Sequence, residues 1–448
     1  MDERIDTEKL LQRAKKPAAD AMRLHPFYRG KIETALKCCV RDINDFAIWY
    51  TPGVAAPCRA IEANPDLVYE HTNKWNTVGV VSDGTRVLGL GDIGPKAGYP
   101  VMEGKALLFK YLGGVDAFPI MLDTKDPDKL IETVLMMQPS FGGINLEDIA
   151  QPKCYKILDT LREKAEIPIW HDDQQGTATV ILAGLLNALR LVGKKIGDAR
   201  IVFIGSGAAN SAAARLVFGR GADPARCMMV DSRGIMGSFR DDIQARREEH
   251  YVKWNLCEIT NGEMRQGGIE EALKGADVVI ASSQPGPDTI KKEWIAQMAS
   301  GAIVFVCANP TPEIWPWEAL DAGAAVVATG RSDFPNQVNN SLGFPAIFRG
   351  TLDVRASTIT DEMCFAAADA LADFARDRLD AEHLLPTMDD WQVFAHEAAA
   401  VGMKAQEQGV ARVSKTQQEL FESARDAIQR SRNITQRMME EGFIPPAP

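Results

Sequence analysis

RIVFIGSGAANSAAARLVFGRG, residues Arg200–Gly221, reads as a strand, a tight turn and a helix. An apolar run rich in Ile and Val stops at Gly205. Gly207 and Ala208 follow, and then an Ala-rich segment free of Gly and Pro until Gly219. Glycines in such a turn let the backbone approach a pyrophosphate, whose charge meets the free N–H groups and positive dipole end of the following helix. The third small position of the pattern is Asn210 here, a departure expected to loosen the packing of helix on strand. A second apolar run, CMMVD, ends on Asp231, about 20 residues further on, where an acid would meet a ribose hydroxyl. A structural turn in an α/β protein would use the same residue types.

The rhythm continues downstream. ADVVIASSQPG breaks at Ser282 and Ser283, AIVFVCANPTPEI at Asn309, and AAVVATGRSDFPNQVNN at Gly330 and Arg331. Val/Ile-rich runs of this kind fit strands buried on both faces of a parallel sheet. Their carboxyl ends are where open α/β sheets bind ligands, so Asn309, Asn339 and Asn340 become candidate hydrogen-bonding groups. Each Asn alone is also a common turn former.

Upstream, between Gly30 and about Ile167, strands and helical patterns alternate as in a second α/β domain. AIWYTPGVAAPC places Tyr50 before a turn. PVMEGKALLFKYLGG places Lys105 after Gly104, read as a helix start, where dipole and burial would both lower a Lys pKa toward that of a base. An exposed surface Lys fits the same spacing. FGGINLEDIAQPKC puts Glu147 and Asp148 at a strand end that turns helical, and IPIWHDDQQGTATVILAGLLNAL puts His171, Asp172 and Asp173 at another, before an apolar helix finishing near Gly193. First-turn acids suit the helix dipole, which accounts for one of these residues more easily than for four in two corners. Three carboxylates drawn from both corners would suit Mg²⁺ or Mn²⁺, which take hard oxygen ligands. No Cys/His cluster suggests zinc, and His171 reads as an orienting or core residue.

Composition narrows the classes. The 448 residues allow two or more domains, and 46% hydrophobic with 25% charged residues is ordinary globular material. A net charge of −11 argues against a nucleic-acid partner. The N-terminus, MDERIDTEKLLQRAKK, is too charged for a signal peptide, and the longest apolar run, Val180–Val192, is broken by Asn187 and Arg190, so no membrane partner is expected. Eight scattered cysteines without a CxxC fit free thiols in the cytoplasm. Residues 1–30 read as a helical arm with Leu10, Leu11 and Ala14 on one face. Residues 413–448 read as a helical, solvated or oligomer-facing tail ending in FIPPAP.

These phrases resemble the malic enzyme family in its short prokaryotic form. YTPGVA, VVSDGTRVLGLGDIGP, VMEGKALLFK, VDAFPI, FGGINLEDI, HDDQQGTA, ANPTPEI, GRSDFPNQVNN and FPAIFRGTLDVRA match in order, from about Gly30 to Ile359. Two departures stand beside Asn210: Trp170 where Phe often precedes the acidic pair, and a tail after about Arg412 without a counterpart. The resemblance implies oxidative decarboxylation of L-malate to pyruvate and CO₂ with NAD⁺ or NADP⁺ and with Mg²⁺ or Mn²⁺. It makes Tyr50 the general acid, Lys105 the general base, and Glu147, Asp148 and Asp173 the metal ligands with Asp172 behind them. Arg86, Asn309, Asn339 and Asn340 would bind substrate. The cofactor would meet Gly205, Ser206, Gly207, Ala208, Ala209 and Asn210 at the turn, Asp231, Ser232 and Arg233 at the ribose, and Ser282, Asn309 and Asn339 nearer the nicotinamide. A homodimer or an assembly of dimers is implied.

The expected architecture is therefore α/β. An N-terminal arm (1–30) precedes a malate and metal domain (31–166), a Rossmann-like doubly wound parallel-sheet domain with closing helices (167–412), and the tail (413–448). A dehydrogenase acting on a 2-hydroxy or amino acid without decarboxylation, and a nucleotide-binding regulatory protein, are the rival readings. The first has no use for the metal corner.

Overall fold

The computed structural model describes residues 7–448, without the side chains of residues 7–15. The backbone of Thr7–Tyr28 is helical, while the face expected of Leu10, Leu11 and Ala14 lies outside the described residues.

Two parallel sheets organise the chain. The first has the order β2-β1-β3-β4, with β1 at Thr77–Ser82, β2 at Asp116–Met121, β3 at Gly143–Leu146 and β4 at Ile169–His171. All its pairs are parallel, with Val81 opposite Leu146 and Leu146 opposite His171, so β3 and β4 end side by side. β1 lies at the switch point, with β2 on one side and β3 on the other, and ligands gather at such points. Because β4 completes this sheet, the passage into the second domain falls after His171 and not at residue 166.

The second sheet has the order β10-β9-β8-β5-β6-β7. β5 is Ile201–Ile204, β6 Met228–Asp231, β7 Gly234–Ile235, β8 Val278–Ala281, β9 Ile303–Val306 and β10 Val326–Thr329. Only β7 runs antiparallel. The residues of β5, β8, β9 and β10 are all buried, as their Val/Ile-rich composition requires of strands covered on both faces. This is the doubly wound arrangement expected from the sequence.

One core runs through the junction. The helix Thr177–Val192, stopped by Gly193 in the left-handed region, buries Val180, Ile181, Leu182 and Leu185 in a cluster that also holds Val78 and Val80 of β1, Phe203 of β5 and Phe305 of β9. The span Asp172–Val192 is long and apolar enough to cross a membrane, but 72% of its most apolar 18-residue stretch is buried within the fold, so its apolar surface faces the core. Phe109, Phe344 and Phe348 carry the cluster to the helix Gly94–Gly113, with ring centroids 4.6 and 5.2 Å apart. Burying each such ring contributes roughly 1.5–3 kcal/mol.

The C-terminal segment, expected as a helical tail facing solvent or an oligomer partner, is helical and packs one face on its own chain. Its helix, Gln417–Glu440, opens on a Thr416/Glu419 capping box and buries Leu420, Ala424, Ile428 and Ser431, a helical stripe. The Ser431 hydroxyl donates to the Lys110 carbonyl at 2.7 Å, which fastens the segment to the helix Gly94–Gly113. The opposite holds for the N-terminal region. Leu36, Ile43, Phe46, Ile48 and Trp49 are all exposed.

Candidate active site

Two carboxylates, Glu147 and Asp148, follow β3 and two more, Asp172 and Asp173, follow β4. Asp148 has φ 54°, a left-handed conformation that a non-glycine residue rarely adopts. That turn cancels the alternation which would send neighbouring side chains to opposite faces of a strand. It is held by the Arg86 N–H on the Asp148 carbonyl (3.0 Å) and by the Asp148 N–H on Asp173 Oδ2 (2.8 Å). The helix expected to start at these acids starts instead at Lys153, so Glu147 and Asp148 are not first-turn dipole partners.

After β4, Asp172–Gly176 form one wide helical turn closed by the Thr177 N–H on the Asp172 carbonyl, a distortion frequent at functional sites. It carries Asp173 toward β3. One oxygen each of Glu147, Asp148 and Asp173 lies within 4.8 Å of the others. The structure therefore brings together the three acids that the sequence placed in two corners.

Lys105 joins them from the helix Gly94–Gly113, well inside it and not at its start, so the dipole argument does not apply. Its ammonium donates to Asp172 Oδ2, stands 3.2 Å from Glu147 Oε1 and lies 4.4 Å from the centre of the Phe344 ring. Burial alone would lower its pKa, but the carboxylates of Asp172 and Glu147 outweigh burial and raise it, opposite to the expected direction. Asp172 is fixed by Trp170, whose indole N–H donates to Oδ1 at 3.1 Å.

The acids pay electrostatically for this proximity. Burial, then neighbouring carboxylates, pushes Asp148 up to about 8, and burial likewise raises Glu147, Asp172 and Asp173. One ammonium faces four carboxyls, and Asp148 Oδ2 is buried without a hydrogen-bond partner among the described residues. A donor set made only of carboxylate oxygens, one of them orphaned, fits a hard divalent cation of the Mg²⁺ or Mn²⁺ kind. His171 is fully buried, and burial lowers its pKa to about 4, which keeps it neutral.

The other expected residues are distributed unevenly. Arg86 stands exposed at the rim, its charge offsetting part of the rise that burial imposes on Asp173. Asn340 reaches the corner: a Cβ on Gly176 would overlap Asp172 Oδ1 and come 3.4 Å from Asn340 Cβ. Asn339 caps the following turn by accepting from the Ser341 N–H (2.9 Å), and its amide is 3.5 Å from the Gly330 carbonyl. Asn309 lies across from Gly89, where an added Cβ would fall 2.5 Å from the Asn309 carbonyl, so the two domains touch there. Tyr50 is 70% exposed and makes no hydrogen bond to the cluster among the described residues.

The phosphate turn has the expected form. Gly205, at φ 97°, packs so closely on the Ser282 carbonyl that a Cβ would fall 2.5 Å from it, whereas nothing lies within 4 Å of a Cβ on Gly207, the residue before the helix Ala208–Gly219. Ser206, Ala208 and Ala209 line the same partly open turn. That open backbone before a helix fits a pyrophosphate. Asn210 does not loosen the packing. Fully buried, its amide donates to the carbonyls of Ile204 (2.7 Å), Gly205 (3.0 Å) and Ile280 (3.3 Å), stitching β5 to β8 behind the turn. Asp231 ends β6 as expected, yet its carboxylate already accepts from Arg240 and Lys253, while Ser232 and Arg233 are exposed beside it.

Some contributors carry no sequence signal. The buried Glu313 carboxylate accepts from the Ser283 N–H (2.8 Å) and the Ala308 N–H (3.2 Å), tying together the loops after β8 and β9. Arg240 and Lys253 reach Asp231 from positions no motif spacing singles out. Trp170 had a signal, its departure from Phe, but its hydrogen bond is visible only in three dimensions.

Residues 29–162 match the malic enzyme N-terminal domain family and residues 174–406 the malic enzyme NAD binding domain family. The chain is 46% identical to a bifunctional malic/malolactic enzyme of Bacillus subtilis, over 91% of this chain and 97% of that protein. It is 48% identical to an NAD-dependent malic enzyme of Geobacillus stearothermophilus (86% and 78%) and 41% identical to an NADP-dependent malic enzyme of Halomonas elongata (86% and 92%). A crystal structure of the Entamoeba histolytica malic enzyme superposes with a TM-score of 0.96 at 49% identity, covering 100% of this chain and 94% of that one. The Pyrococcus horikoshii malic enzyme gives 0.88 at 50% identity, covering 92% and 95%.

Proposed function

The chain belongs to the malic enzyme family, and from that premise we propose that it performs the metal-dependent oxidative decarboxylation of L-malate to pyruvate and CO₂ with reduction of NAD⁺ or NADP⁺. The supporting observation is the convergence of Glu147, Asp148 and Asp173 beside Lys105, a metal corner with a proton acceptor next to it. A 2-hydroxy acid dehydrogenase that does not decarboxylate has no use for that corner.

Glu147, Asp148 and Asp173 would hold Mg²⁺ or Mn²⁺, which supplies Lewis acidity to the C2 oxygen of the substrate when bound. A nicotinamide cofactor, when bound, would supply the acceptor for the C2 hydride, and Glu313 holds together the loops after β8 and β9 at that end of the second sheet. Lys105 takes the C2 hydroxyl proton. Its pKa is raised by carboxylates, and neutralising their charge lowers it toward what a base needs. Asp172, held by Trp170, keeps the Lys105 amine oriented. Arg86 at the rim, with Asn309, Asn339 and Asn340 at the strand ends, would bind the substrate carboxylates and oxygens.

Tyr50 would protonate C3 of the enolpyruvate. For this its hydroxyl has to be carried to a site by packing of its segment, and the bare Ile43, Phe46, Ile48 and Trp49 beside it form an apolar surface that a second copy in a homodimer would cover. The eight free cysteines are in keeping with a cytoplasmic protein.

Initial rates with malate and each nicotinamide cofactor, with and without Mn²⁺, test the reading. Malate-dependent NAD(P)H formation that requires the metal and yields pyruvate is expected. Lys105→Ala should lower kcat by roughly 10²–10⁴-fold. Failure of every cofactor and metal combination to oxidise malate would sink the reading.

A further inference from the structure

In a dinucleotide fold the acid ending the second strand of the sheet recognises the adenosine ribose by accepting from its hydroxyls. Asp231 has the position for this. It ends β6, one residue beyond Val230, whose carbonyl accepts from the Gly205 N–H of the phosphate turn at 2.8 Å. It lacks the capacity. Oδ1 accepts from the Arg233 N–H (2.8 Å) and Arg240 Nη1 (3.0 Å), and Oδ2 accepts from Arg240 Nη2 (3.1 Å) and Lys253 Nζ (2.6 Å). An ionised carboxylate offers about four lone-pair sites, and these four donors fill them.

The donors themselves are not exhausted. Arg240 is locked by Asp242, through Nε at 2.7 Å and Nη2 at 2.9 Å, so it serves as the fixed base of the cluster. Lys253 spends one of its three N–H groups on Asp231 and makes no other side-chain hydrogen bond among the described residues. Arg233 touches Asp242 through Nη1 at 3.0 Å, and its side chain is 71% exposed. Three cations face two carboxylates, a local excess of one positive charge. A neutral diol would have to displace Lys253 or Arg240 to reach Asp231. A phosphate dianion instead takes Lys253 and Arg233 as charge-assisted donors and leaves the Asp231–Arg240 pair intact.

We propose that this chain selects NADP⁺ over NAD⁺, with the 2′-phosphate held by Arg233 and Lys253. The inference rests on the nicotinamide-dependent reading above and refines which nucleotide that site takes.

The test is binding of nucleotide fragments to the full chain by calorimetry, which involves neither malate nor metal chemistry. 2′,5′-ADP carries the extra phosphate and 5′-AMP lacks it. The wild type is expected to bind 2′,5′-ADP about tenfold or more tightly, the ratio that one or two hydrogen bonds to a charged group produce. That ratio should fall about tenfold in Lys253→Gln and in Arg233→Gln, and it should shrink as salt rises. A general structural defect would weaken both ligands and leave the ratio alone. Equal or tighter binding of 5′-AMP by the wild type, or a ratio that moves in neither variant, overturns the proposal. Preference for 2′,5′-ADP without malate-dependent NADP⁺ reduction would uphold the ribose site and reject the reaction. Malate oxidation without that preference would uphold the reaction and reject the specificity.

Discussion

The indole N–H of Trp170 donates to Oδ1 of Asp172 at 3.1 Å, and Oδ2 of the same carboxylate receives the ammonium of Lys105. A residue on the last strand of the first sheet thus sets the orientation of the proposed base through an intermediate acid. Phe at position 170 would fill most of the space and remove the donor. Trp170→Phe should cost about 1.5–3 kcal/mol of stability from the lost bond to a charged group. It should also raise the Asp172 pKa, because a hydrogen bond to the ionised form is gone. The acidic limb of the pH–rate profile then moves to higher pH. An unshifted profile would show that Trp170 only packs against Phe348.

Without a cation, the acids that converge on the corner make stability fall with pH. Their folded pKa values are raised, to about 8 for Asp148, so the contribution is complete below the unfolded value near 4 and is lost as pH rises through the folded one. Melting in chelator from pH 5 to pH 8 should show this decline. Mn²⁺ should flatten it and add about 2.7 kcal/mol at a hundredfold excess over its dissociation constant. A melting temperature indifferent to Mn²⁺ at pH 8 would count against the metal corner.

Gly176 has an ordinary φ of −66°, so alanine there meets no backbone strain. The obstacle is Asp172 Oδ1, which an added Cβ would overlap. Gly176→Ala should fold, displace the carboxylate that orients Lys105, and lower kcat about 10²-fold, the scale expected of a 1 Å misplacement. Circular dichroism with steady-state kinetics separates this outcome from unfolding, and a fully active variant would contradict the geometry.

Far from the site, Glu397 is fully buried in the helix Gln392–Glu407, with neither carboxyl oxygen hydrogen-bonded among the described residues. Burial pushes its pKa well above the usual carboxylate range. Its folded form is the acid, so the wild type loses stability as pH climbs from about 4.3 toward the raised value. Glu397→Met keeps the length and removes both orphaned oxygens. It should stabilise the protein by about 1–3 kcal/mol at neutral pH, with the gain shrinking in acid, as read from urea denaturation at two pH values.

What could be read along the chain were features set by neighbours in sequence. The unbroken apolar runs before Gly205, Ser282 and Asn309 state that those strands are covered on both faces, which dictates a parallel α/β sheet. The Gly205–Gly207 turn follows from the need for open backbone before a helix. The acidic phrases LEDI and HDDQ marked their corners because they place carboxylates at the carboxyl ends of apolar strands, where open α/β sheets bind ligands.

The sequence by itself thus determined the fold class, the glycine turn before a helix and the two acidic corners whose side chains the fold brings close together. Tertiary structure alone decided the electrical state of Lys105, the occupation of Asp231 by Arg240 and Lys253, the stitching role of Asn210 and the exposure of Tyr50. The physical reason is range. Periodicity and turn chemistry depend on residues a few positions apart, whereas a pKa or a filled lone pair depends on charges that packing brings within about 4 Å from segments distant in sequence.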